Sequence, residues 1–159
     1  MVNKPKAIGT AAESAIVRTA RANGFPLAER LALAGALDHG DVRLTAYVHL
    51  EIKGGHAAEQ ASDAQIETWM LELERELTNA DALAGALITK RKGVGTGNAH
   101  RWWAHVRASG IAQWRCYPLE PTLPAQPDAT IRMTVESLLV QLRAAGYGDP
   151  LTTINSRES

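Results

Sequence analysis

Hydrophobic and polar positions in this chain switch between helical and strand periods, and the switches divide it into elements. Thr10-Ala11-Ala12-Glu13 has capping-box spacing, and Ile16, Val17 and Ala20 recur at helical intervals until Gly24, which predicts a first helix from about Ala11 to Asn23. Three short apolar stretches follow, Ala28 to Ala34, Val42 to Leu44 and Ala46 to Ile52, separated by Gly35, by the Asp38-His39-Gly40 turn and by the region of Thr45. They read as consecutive strands. Gly54-Gly55 ends the third, and Ser62-Asp63-Ala64-Gln65 forms a second capping box. Ile66, Trp69, Met70, Leu73 and Leu77 then mark the buried stripe of an amphipathic helix, with Trp69 in the core.

Leu83 to Thr89 and Arg101 to Arg107 read as two further strands. Between them, Lys90 to His100 is polar, basic and glycine-rich, with Val94 its one apolar anchor, and is expected to be a mobile loop. Ala112 to Asp128 contains four prolines and reads as an irregular connector. Thr134 to Ala145, with Val135, Leu138, Leu139 and Leu142 on one side and Gly146 after it, is a closing helix. Its stripe requires docking, on this core or on a partner chain. An antiparallel meander feeding a crossover helix implies an α/β fold, with a mixed sheet of about five strands between helices.

Composition narrows the class. At 159 residues, with 45% hydrophobic and 21% charged residues, the chain suits one globular domain. The single cysteine, Cys116, excludes an intrachain disulfide and suits a reducing cytoplasm. The N-terminus lacks a signal-peptide core and no run of membrane-spanning length occurs, so a cytoplasmic protein with no membrane role is expected. Lys plus Arg equals Asp plus Glu at 17 each, so bulk charge carries no case for nucleic acid. The charges do segregate: Glu67, Glu72, Glu74, Glu76 and Asp81 stand against Arg75 alone, whereas Lys90-Arg91-Lys92 is a basic run. One face could be basic and another acidic.

The candidate chemistry lies in Gly40-Asp41-Val42 and in Glu51-Ile52-Lys53, ten residues after Asp41. On a strand, Glu51 and Lys53 leave the same face. A carboxylate and an ammonium amid apolar strand residues are costly unless partners or a metal satisfy them. Asp41 and Glu51 are hard oxygen ligands suited to a divalent cation, and Lys53 could orient water or neutralise charge on a phosphate. Glu13 either joins them from the first helix or serves only as the reciprocal partner of a Thr10 cap.

The ordered series Lys6-Ala7-Ile8-Gly9-Thr10-Ala11-Ala12-Glu13-Ser14, Gly24-Phe25, Ala28-Glu29-Arg30, Gly40-Asp41-Val42 and Glu51-Ile52-Lys53 resembles the archaeal and phage Holliday junction resolvases of the PD-(D/E)XK nuclease superfamily. The resemblance covers residues 6 to 107. It implies a restriction-endonuclease-like core, with Glu13, Asp41 and Glu51 holding Mg²⁺ or Mn²⁺ and Lys53 as the catalytic lysine. It also implies a homodimer that nicks a four-way DNA junction symmetrically, in recombination or repair. The nearest alternatives are a flap, fork or single-strand nuclease of the same fold and a non-catalytic module that binds branched DNA. The chain departs from many relatives at Leu33-Ala34-Gly35-Ala36, where they carry a serine, and another group would have to meet the phosphate there.

Other residues have fewer claims. Arg30 could meet either phosphate or a neighbouring carboxylate, and Lys90, Arg91 and Lys92 are candidate DNA-backbone contacts. Gly93-Val94-Gly95-Thr96-Gly97 lacks the ending of a P-loop, so no nucleotide cofactor is expected. His49 shares a face with Glu51 but has no supporting histidine or cysteine for zinc, and His39 reads as a turn residue. Of the adjacent Trp102 and Trp103, one should face inward and one outward, toward a base or a dimer seam.

Overall fold

In a computed structural model, residues 4–32, 40–115 and 128–152 are described. Ala34, His39, Cys116 and the four prolines of the expected connector lie outside them. Helix α1 runs over Lys4–Ala22 and so begins well before Ala11. Pro5 falls in its first turn, where a missing N–H costs no hydrogen bond. Thr10 is therefore inside the helix, which removes the expected Thr10 cap. The helix ends as expected before Gly24, with the Phe25 amide donating back to the Ala20 carbonyl at 3.0 Å.

Strand β1 is limited to Glu29–Arg30, much shorter than the expected Ala28 to Ala34. It pairs antiparallel with β2, Val42–Thr45, and an Arg43 to Glu29 ion pair lies across the two. β2 in turn pairs antiparallel with β3, Val48–Lys53. A short helix α2, His56–Glu59, which the sequence pattern did not signal, leads to α3 over Asp63–Asn79. Here the capping expectation holds: the Ser62 side chain accepts from the Gln65 amide at 3.2 Å. The crossover places β4, Ala84–Thr89, parallel to β3, in register from Val48 opposite Ala84 to Lys53 opposite Thr89.

The basic loop after β4 is pinned rather than loose. Val94 and Ala99 are buried, a 3-10 helix spans Thr96–Arg101, and the Trp102 indole N–H donates to the Val94 carbonyl at 2.9 Å. Strand β5, Trp103–Arg107, is antiparallel to β4, and it is followed by α4, Ala108–Arg115, whose second half from Ala112 falls where irregular chain was expected. A sixth strand, β6 over Thr130–Thr134, pairs antiparallel with β5 at the sheet edge. The closing helix α5 spans Val135–Ala144, with Thr134 as its N-cap. The product is an α/β fold with a mixed six-stranded sheet in the order β1-β2-β3-β4-β5-β6.

The two faces of the sheet are covered differently. Ala12, Ala15 and Ile16 of α1, Leu138, Leu139 and Leu142 of α5, and Val48, Leu50 and Ile52 of β3 share one large core, so the closing helix docks on this chain's own sheet. On the other face Met70 and Leu73 of α3 pack on Leu87 of β4. Trp102 belongs to the large core at 0% exposure, and Trp69 borders the smaller one. Among the described residues no helix is long and apolar enough to cross a membrane.

Candidate active site

Strand alternation sends Val48, Leu50 and Ile52 to the large core and leaves His49, Glu51 and Lys53 to the α3 face. Glu51 is nonetheless only 6% exposed. Its register partner is Leu87, one of the three residues of the smaller core, so the carboxylate sits at the border of an apolar layer. Lys53 Nζ donates to Glu51 Oε1 at 2.6 Å, stands 3.5 Å from Glu72 Oε2 and lies 5.8 Å from the centre of the Trp69 ring. Burial pulls the Lys53 pKa down, but the bond to Glu51 and the nearby acids outweigh it and hold it above the usual lysine value.

Asp41 joins from the neighbouring strand. It precedes β2, and its amide donates to the Leu50 carbonyl at 3.0 Å while its own carbonyl accepts from the Leu31 amide at 2.9 Å. Its Oδ2 accepts from the Ile52 amide at 2.8 Å, fixing the carboxylate beside Glu51. Gly40 makes this approach feasible. Its φ of +86° is strained for other residues, and a Cβ there would stand 3.2 Å from the Leu50 carbonyl oxygen.

Burial first, and then the charge of Glu51, raise the Asp41 pKa to about 7. Burial also raises Glu51 to about 7, against the opposing pull of Lys53. Two largely buried carboxylates are thus brought together, one just before β2 and one on β3, with the Lys53 ammonium bonded to the second.

Glu13 is near enough to raise the Asp41 pKa further, but its closest partner is a cation. Arg30 Nε donates to Glu13 Oε2 at 2.6 Å, and its terminal nitrogen is 3.5 Å from the Thr10 hydroxyl. Arg30 thus takes the ion-pair option, across to α1, while staying 41% exposed. Helix α1 can come this close because residue 54 is glycine. A Cβ at Gly54 would fall 2.3 Å from the Ala12 Cβ, next to Glu13.

One acid of this site was overlooked as such. Glu76, one of the acids that stand against Arg75 alone, is buried on α3 at 7% exposure and adds to the upward push on Glu51. Its Oε2 would lie 3.8 Å from a Cβ at Gly40. The signal was present in the spacing, because position 76 follows Leu73 by three and shares its stripe.

Of the basic loop, Lys90 is engaged with Glu59 at 2.7 Å, Arg91 lies over the outward Trp103 ring at 4.2 Å, and Lys92 is exposed. The run is therefore not three equivalent solvated cations.

Among the described residues no three His, Cys, Asp or Glu side chains gather closely enough to enclose a metal ion. Mg²⁺ does not require such a cage, since it is commonly held by one or two carboxylates with water and substrate phosphate completing the octahedron. Asp41 and Glu51 fit that requirement as a pair of hard, poorly solvated oxygen donors. His49 is buried on the same face. Comparison of the chain with protein-family models, with curated proteins and with solved structures finds no match.

Proposed function

We infer that this protein is a divalent-metal-dependent endodeoxyribonuclease, acting on branched DNA as a Holliday junction resolvase built on a restriction-endonuclease-like core. The observation that carries this reading is the convergence of Asp41, Glu51 and Lys53 at the ends of adjacent strands. The antiparallel meander β1-β2-β3, followed by α3 and the parallel strand β4, supports this reading. The four-way junction and the symmetric homodimer come from the sequence resemblance.

Asp41 and Glu51 would hold Mg²⁺ or Mn²⁺, with Glu13 close by on α1. The ion supplies an activated water and relief of charge on the phosphate. The chain's own residues supply the placement. The Ile52 amide fixes Asp41, and the Lys53 contact fixes Glu51. Lys53, an ammonium in contact with Glu51, can turn its remaining donors to a non-bridging phosphate oxygen. Arg30 holds Glu13 and, half-exposed, can share its other N–H groups with the DNA backbone.

The test is incubation of the protein with labelled four-way, flap, forked and linear DNAs in Mg²⁺, Mn²⁺ or EDTA, with Glu51→Gln as control. Paired symmetric nicks across the junction, lost in EDTA and in the variant, are expected. Preferential cutting of flaps or single-stranded ends would replace the junction as substrate. No metal-dependent cleavage of any of the four would overturn the nuclease reading.

A further inference from the structure

Beside the candidate active site, the same face of the sheet carries a second group of polar side chains that the chemistry above leaves unused. Sheet register extends from Lys53 to Thr89 and on to Trp103, and in the next row from Glu51 to Leu87, His105 and Arg132. Between β4 to β6 and the first turns of α3, this face opens into a polar cavity of about 470 Å³ lined by Thr89, Trp103, His105 and Arg132, with Asp63 and Glu67 from the helix. Thr89 Oγ1 and His105 Nε2 are 3.0 Å apart within it.

Two guanidinium groups are packed on one ring there. Arg91 lies 4.2 Å and Arg132 4.8 Å from the centre of the Trp103 ring. Among the described residues neither arginine forms an ion pair or hydrogen bond with a carboxylate. Of the three acids lining the cavity, Glu59 is engaged with Lys90 and Glu67 with Arg107 and Thr130, while Asp63 is close enough to His105 for its charge to act on that imidazole. Two like charges held against one indole repel each other, and their planar N–H forks are left to an external anion. Stacking on the ring also restricts both forks in advance, which lowers the entropy lost when they bind a ligand.

We propose that Arg91, Trp103 and Arg132 form a phosphodiester clamp that grips the DNA backbone away from the scissile bond. This rests on the nuclease reading for its choice of nucleic acid as the anion. Lys53 and Trp103 are two strands apart, about 10 Å in the hydrogen-bonding direction, or roughly three nucleotides of rise along one strand of a duplex. Both sit where β3 and β4 end and β5 begins, so a single backbone reaching Asp41 and Glu51 passes the clamp. The clamp fixes which phosphate is presented for cleavage and adds affinity that does not depend on metal.

The test is DNA binding by the full chain in EDTA, read as fluorescence anisotropy of a labelled four-way junction across a salt series. The double variant Arg91→Gln, Arg132→Gln is expected to bind about 10-fold more weakly at moderate salt. The slope of log affinity against log salt should become shallower by about 2, close to 0.9 for each lost phosphate contact. Arg132→Gln alone, on the edge strand, should give about half that change in slope, and circular dichroism melting confirms that both variants are folded. An unchanged slope overturns the clamp, even if affinity falls. Competition by poly-glutamate as effective as by unlabelled DNA also overturns it, in favour of an acidic protein partner. Because no cleavage is read, a wild-type protein that fails to cut DNA but shows the expected slopes would overturn the nuclease reading and leave the clamp standing.

Discussion

The two sides of β3 are both largely hidden from solvent, Lys53 alone being partly open, and are chemically opposite. Val48, Leu50 and Ile52 enter a core of α1 and α5 side chains, whereas His49, Glu51 and Lys53 lie toward α3, with Glu76 buried near them. Burial on the first side is favourable by about 25 cal/mol for each Å² of apolar surface. On the second it opposes folding, because a charge leaving water is costly unless partners compensate it. The raised pKa values of Asp41 and Glu51 record that opposition. A strand that needed only stability would be better served by an apolar second face, and the proposed function gives Glu51 and Lys53 a reason to be there.

Substitutions can break or sharpen this contrast. The largest expected effect is on the charged side, where Glu51→Gln should lower metal-dependent cleavage about 1000-fold, equivalent to about 4 kcal/mol of barrier, with the circular dichroism spectrum preserved. On the apolar side Leu50→Ala should lower unfolding stability by about 3 kcal/mol in urea titrations, through lost burial and a residual cavity.

Asp41→Asn should do the reverse and stabilise. Asn keeps an acceptor for the Ile52 amide while removing a charge that burial disfavours. The folded pKa of about 7 exceeds the ordinary aspartate value of 3.8, so the folded state binds the extra proton between those limits. The aspartate's relative contribution is thus fully present below about pH 4 and is lost as pH rises toward 7. The variant should therefore gain about 2 kcal/mol at pH 8 and nothing at pH 3, measured by thermal melting. Equal melting temperatures at pH 8 would contradict the buried, disfavoured charge.

Gly54→Ala should be the mildest in stability, costing about 1 to 2 kcal/mol as α1 is pushed from the sheet. Because that shift moves Glu13, its loss of cleavage should exceed what the stability change explains. Cleavage that merely tracks the folded fraction would separate α1 from the site.

How much of this was readable in the chain depends on whether local signals dominated. The Ser62 cap, the α3 stripe and the closing helix are stated by spacing within one element, and the Asp41 and Glu51-Ile52-Lys53 segments by their order along neighbouring stretches. β6 was missed because an edge strand with mostly half-buried or exposed positions has no strong alternation, and α4 because it has little apolar asymmetry. The start of α1 was misplaced by a capping-box pattern that occurs inside a longer helix. The loop after β4 reads as mobile because Val94 is its one apolar anchor, whereas in the fold Ala99 is buried too and the Trp102 indole bonds the Val94 carbonyl.

The sequence by itself determined which residue types alternate on β3, and so which side of the sheet would carry the carboxylate and the ammonium. Period two in a strand leaves no choice once Leu50 and Ile52 are core. Only the tertiary structure decided who their partners are. Arg30 reaches Glu13 across seventeen residues, Glu76 meets Glu51 from α3, and Arg91 and Arg132 share one tryptophan from distant segments. Local periodicity sets the direction of a side chain, whereas what neutralises or clamps it depends on strand order and crossover, which are settled when the sheet closes over both cores.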